Sequence, residues 1–162
     1  MSELLSINFI INGEKKEFKF SGSQTLLHVL RENGYTEVHN GCETGDCGSC
    51  VIILNGKTVN SCMVLAASAK DSEIITVKAL GDIHNPHPIQ KAFAESGAVQ
   101  CGFCTPGQIL SAYTLLLDNP EPTDDEIKKA LDGNICRCTG YKKIIEAVKL
   151  AGQLMREASN EK

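Results

Sequence analysis

Residues 41–50 read GCETGDCGSC, three cysteines and three glycines in ten positions. The next cysteine is Cys62, so Cys42, Cys47, Cys50 and Cys62 are spaced C-x4-C-x2-C-x11-C. Between the third and the fourth lies VIILNGKTV, an apolar run turned at Asn-Gly, which predicts a β-hairpin. The same signal stands upstream. Ile7, Phe9 and Ile11 alternate before Asn12-Gly13, and Phe18 and Phe20 follow it. Ser23 is placed to cap a short helix carrying Leu26, Leu27 and Leu30, with Gly34 just past its end. Residues 74–77, IITV, predict one more strand. The first half of the chain therefore reads as α+β.

A loop of this kind suits an iron–sulfur group. C-x4-C-x2-C followed by a distant cysteine is the plant-type spacing for a [2Fe–2S] cluster. Two irons need four protein thiolates; one loop supplies three by wrapping around the group, and the fourth arrives after the hairpin. With two ferric irons, two sulfides and four thiolates the formal charge is about −2, so burial requires donors. Gly41, Gly45 and Gly48 are expected to take positive φ and aim backbone N–H groups at sulfur.

A second set follows in the other half. QCGFCTPG at 100–107 and ICRC at 135–138 place Cys101, Cys104, Cys136 and Cys138 at C-x2-C-x31-C-x-C. Around them the pattern is helical. Residues 79–88, ALGDIHNPHP, read as a linker. Pro88 suits a first helical position before Ile89, Ala92 and Phe93. Thr105-Pro106 opens a helix bearing Ile109, Leu110, Tyr113, Leu116 and Leu117, stopped at Asn119-Pro120. Thr123 and Glu126 form a capping box for a third helix, closed by Gly133. Thr139 is expected to open the last, with Tyr141, Ile144, Ile145, Val148 and Ala151 inward, and the terminal ASNEK is expected to fray. Four amphipathic helices bury their stripes by packing as a bundle. Each cysteine pair would then precede a helix N-terminus, which favours thiolate.

Other readings share these residues. Two structural zinc sites would use the same cysteines, and C-x2-C pairs suit either metal. The chain of 162 residues is long enough to build a core without disulfide staples. Its first sixteen residues carry no basic stretch before the apolar ones and no twin arginine, and no apolar run approaches about 18 residues. The expectation is a soluble cytoplasmic protein, in which clustered cysteines bind metal or do redox work rather than form disulfides. A net charge of −4 without a basic run argues against nucleic-acid or anionic-membrane surfaces. His28, His39, His84 and His87 are scattered and read as surface or hinge residues, and Arg137 as a solvent-facing spacer. TGDCGS lacks the lysine of a P-loop.

Taken together, GCETGDCGSC with Cys62 and QCGFCTPG with GNICRCTGY resemble the small iron–sulfur subunit of molybdenum hydroxylases, the xanthine dehydrogenase, aldehyde oxidoreductase and carbon monoxide dehydrogenase family. The resemblance spans about residues 6–151 with all eight cysteines in order; Ser49 stands where alanine is common. It implies a β-grasp, plant-ferredoxin-like domain over 1–80, then an all-α four-helix-bundle domain over 81–162, each holding one [2Fe–2S] cluster. It implies an electron-transfer subunit, not catalytic alone. A large partner chain would carry the molybdopterin cofactor, and a further chain FAD, in a hetero-oligomer such as a dimer of heterotrimers. Electrons would run from molybdenum through the helical-domain cluster to the ferredoxin-like one and on to flavin. It also implies that Gln100 and Cys138 touch the pterin. A stand-alone ferredoxin or redox sensor, or a zinc-stabilised interaction module, are the rival readings.

Overall fold

The computed structural model describes residues 4–160, with the side chain of Asn160 left aside. Strands β1 (Leu4–Ile11) and β2 (Glu14–Ser21) pair antiparallel around Asn12 and Gly13, whose φ values of 52° and 82° are those of a tight hairpin turn. Alternation puts Ile7, Phe9, Ile11, Phe18 and Phe20 on one buried face. Helix α1 (Leu26–Glu32) lays Leu26, Leu27, Val29 and Leu30 into that core. Its cap is Thr25 rather than the expected Ser23: the Thr25 hydroxyl accepts from the His28 amide at 3.4 Å, whereas the Ser23 hydroxyl meets that of Ser21.

The second hairpin is β3 (Val51–Leu54) and β4 (Lys57–Asn60), and β5 (Glu73–Ile75) completes a sheet of order β2-β1-β5-β3-β4. Among the described strands only β1 and β5 run parallel. β5 stops before the expected Val77, because the Thr76 amide is taken by the Asn12 side chain and residues Val77–Ala79 close into a 3-10 turn.

The second half is helical: α2 (Pro88–Glu95), α3 (Thr105–Asp118), α4 (Asp124–Ala130) and α5 (Lys142–Asn160). Ile89, Phe93, Ile109, Leu116, Ile127, Ile144 and Val148 form its core. The capping box of Thr123 and Glu126 is present. Thr139 does not open α5. Tyr141 holds φ 68°, so the helix begins at Lys142, and the Thr139 hydroxyl donates to the Cys136 sulfur instead. α5 remains helical through Asn160, so the expected fraying is not seen at residues 158–160; Glu161 and Lys162 lie outside the described residues. Among the described residues no helix is long and apolar enough to cross a membrane. A third apolar cluster, Val51 and Ile53 of β3 with Leu110 of α3, seats α3 against the sheet. That contact decides where the two cysteine sets meet.

Candidate metal centres

The loop before β3 folds back on itself through Glu43, Gly45 and Gly48, all at positive φ. Gly41 is not among them. Its requirement is space, since a Cβ there would fall 2.8 Å from the Cys47 sulfur and 2.5 Å from the Ser49 hydroxyl. The curl aims donors at sulfur as expected: the amides of Thr44 and Cys47 each lie 3.4 Å from Cys42 Sγ, and Ser49 Oγ lies 3.1 Å from Cys47 Sγ. The Thr44 side chain and then these amides hold the Cys42 thiol down to about 6. Cys50 and Cys62 are buried at 3% and 6% exposure, Cys62 on the turn that follows β4. Burial, and then the adjoining Cys50 thiol, push Cys62 up to about 11.

In the second set Cys104 occupies the N-cap of α3, and Cys136 and Cys138 lie in the loop before α5. Tyr141 pins that loop, its hydroxyl accepting from the Cys136 amide at 2.8 Å and lying 3.2 Å from the Asn134 carbonyl. Burial, and then the Cys136 thiol, push Cys104 up to about 12. Burial acts on Cys136 too, but the Thr139 hydroxyl at 3.0 Å and the amides of Cys138 and Thr139 outweigh it and lower its pKa. Cys101 and Cys138 are exposed, with sulfurs 3.6 Å apart, and the contact raises Cys138.

The thiols thus stand in pairs: Cys42 by Cys47, Cys50 by Cys62, Cys101 by Cys138, Cys104 by Cys136. Two sulfurs bound to one metal at about 2.3 Å and a tetrahedral angle lie roughly 3.8 Å apart, close to the Cys101–Cys138 separation. Among the described residues no three His, Cys, Asp or Glu side chains converge as a single ion requires. Pairs of thiolates on each of two irons are what a [2Fe–2S] group asks for, and a space too tight for a Cβ lies against one of them; the donor set fits that group.

The two sets face each other. The Ile135 amide donates to the Cys47 carbonyl at 2.9 Å, and the Asn134 side chain to the Gly48 carbonyl at 3.1 Å. His39, expected at the surface, stacks on Phe103 with ring centroids 4.7 Å apart, its Nδ1 2.7 Å from the Phe103 carbonyl. Cysteines of both sets line one cavity of about 310 Å³, with Arg137 at its edge. The other histidines divide. His28 meets Glu43, His84 is exposed in the linker, and half-buried His87 caps α2. Gln100 is exposed beside Cys101, and among the described residues its amide makes no hydrogen bond. Sequence reasoning missed Asn134 and the stacking role of His39; the only local signal was their nearness to cysteines.

Residues 9–77 match the family model of a 2Fe-2S iron-sulfur cluster binding domain, and residues 76–149 that of a [2Fe-2S] binding domain. The chain is 48% identical over 148 residues to the nicotinate dehydrogenase small FeS subunit of Eubacterium barkeri, covering 91% of this chain and 94% of that one. It is 40% identical over 149 residues to the xanthine dehydrogenase iron-sulfur-binding subunit of Escherichia coli O157:H7, with the same shares covered. Among solved structures it superposes on a chain of quinoline 2-oxidoreductase from Pseudomonas putida 86 with a TM-score of 0.91 at 38% identity, over 96% of this chain and 98% of that one.

Proposed function

The chain belongs to the family of small iron–sulfur subunits of molybdenum hydroxylases, and from that premise we propose that it carries electrons between a molybdopterin centre on a large partner chain and FAD on another. It is the electron-transfer part of an oxidoreductase complex and not catalytic alone. In this reading residues 1–80 and 81–162 are two units. Cys42, Cys47, Cys50 and Cys62 hold one [2Fe–2S] group, and Cys101, Cys104, Cys136 and Cys138 the other. Each group, when bound, supplies a one-electron carrier. The chain's own part is to hold, orient and shield. Burial of Cys50 and Cys62 keeps water from one side of the first set, and amides and hydroxyls offset charge on sulfur.

The observation that carries the reading is the meeting of the two thiol sets across the Ile135–Cys47 hydrogen bond. That bond brings a residue adjoining Cys136 directly onto a cysteine of the other set. Exposed Phe103 and Ile135 line the same cavity as exposed Cys101 and Cys138, and exposed Val99 lies two residues before Cys101. This apolar rim suits cover by the large subunit, with Gln100 and Cys138 toward the pterin. A stand-alone ferredoxin is not favoured, since the relatives are subunits. The reading places the assembly in the cytoplasm as a hetero-oligomer.

The test is metal content and spectroscopy of the native complex. Two irons and two labile sulfides per thiol set are expected, with two distinct EPR signals after reduction. Cys47→Ala should remove one signal and Cys104→Ala the other. Stoichiometric zinc without labile sulfide would overturn the reading.

A further inference from the structure

Gln108 sits in the first turns of α3 with 0% exposure, and neither its Nε2 nor its Oε1 has a hydrogen-bond partner among the described residues. A buried carboxamide in that state is costly, and each such group calls for an explanation. Its backbone amide bonds the Cys104 carbonyl at 3.1 Å, so Gln108 stands one turn beyond Cys104 on the same helix face. Helical side chains lean toward the N-terminus and cover the preceding turn. A side chain with that lean covers the turn of α3 that begins at Cys104.

Thiols of both sets receive donors from neighbouring residues. Cys42 accepts two amides, Cys47 meets the Ser49 hydroxyl and Cys136 receives the Thr139 hydroxyl. Among the described residues no side-chain amide or hydroxyl donates to Cys104 Sγ. A buried donor without an acceptor thus stands one helical turn from a thiol that receives no side-chain amide or hydroxyl.

We propose that Gln108 is a positioning residue of the helical-domain iron–sulfur site, its carboxamide N–H donating to sulfur on the Cys104 side of that site. The proposal rests on the assignment of Cys101, Cys104, Cys136 and Cys138 as holders of that group. A donor to sulfur favours the more negative, reduced state, so its removal makes reduction harder.

The test is an EPR-monitored redox titration of the native complex carrying Gln108→Met, which keeps length and removes the polar atoms, and Gln108→Glu, which replaces the donor by an acceptor. Both should shift the reduction equilibrium of the helical-domain signal against reduction by about tenfold or more. For a one-electron couple tenfold is about 59 mV. The other signal should stay in place. An unchanged potential, or an equal shift in both signals, overturns the proposal whatever happens to thermal stability. Should the variants fail to fold, the wild-type complex decides. With 15N in glutamine side chains, pulsed EPR of the reduced helical-domain signal should show a nitrogen coupling that persists in Gln100→Leu, and its absence overturns the proposal. If the complex shows no iron–sulfur signal at all, the underlying assignment fails instead.

Discussion

Gly107 is the residue on which the join between the two halves turns. A Cβ there would lie 2.1 Å from the Gly48 carbonyl oxygen, a main-chain atom that no rotamer change can move away. Gly48 is restricted from another side, a Cβ there falling 2.3 Å from the Gly133 carbonyl in the loop before α5. These contacts let α3 approach the cysteine loop closely enough for Asn134 and Ile135 to bond it. Gly107→Ala should cost about 1–3 kcal/mol by overpacking, read as a lower denaturant midpoint. It should also broaden both EPR signals together, since the strain falls between the sets. A change confined to one signal would argue against this close approach. The positive φ of Gly48 was expected from the sequence, but the close approach that either glycine permits was not legible there. Nothing local marks that approach until residues 59 positions apart are brought into contact.

Elements were legible where their signal is local. Both hairpins follow from Asn-Gly between apolar runs, and the capping box of α4 from Thr123 and Glu126. Misses occurred where a hydroxyl had competing partners. Ser23 and Thr139 are sound caps by type, but one meets a neighbouring serine and the other a thiol. The cap of α2 was missed for a related reason, because His87 is an uncommon cap. Its Nδ1 accepts from the Ile89 amide at 3.3 Å, while Gln90 accepts from the His87 amide at 2.8 Å. The ring must be neutral to accept, and burial lowers its pKa below the ordinary 6.5. The unfolded chain therefore binds the proton more readily. The cap's full contribution is present above about pH 6.5 and is lost as pH falls below it toward the folded value. Thermal melts at about pH 7.5 and about pH 5 should show wild type losing more stability on acidification than His87→Asn, which caps without titrating. Equal losses would remove His87 from this role.

At the scale of the whole molecule, the spacing of eight cysteines carried the family and the two-part architecture, because ligand geometry is written into short loops. What the sequence withheld was the arrangement between the parts. Asn134 donates across 86 positions to Gly48, and no periodicity reports a contact of that range. The same arrangement covers the two thiol sets unequally: Cys50 and Cys62 are buried, Cys101 and Cys138 exposed. Unequal cover means unequal lifetimes. In the isolated chain an iron chelator should bleach the helical-domain signal first, and the ferredoxin-like signal only on the slower timescale of local opening. Within the assembled complex the difference should shrink, because a docked large subunit would seal the exposed pair. Rapid-quench EPR during chelation reads both, and simultaneous loss in the isolated chain would contradict it. In the proposed reading maturation would then have an order: the set holding buried Cys50 and Cys62 would be filled while the chain is still able to open, whereas the set holding exposed Cys101 and Cys138 would stay serviceable until docking closes the door.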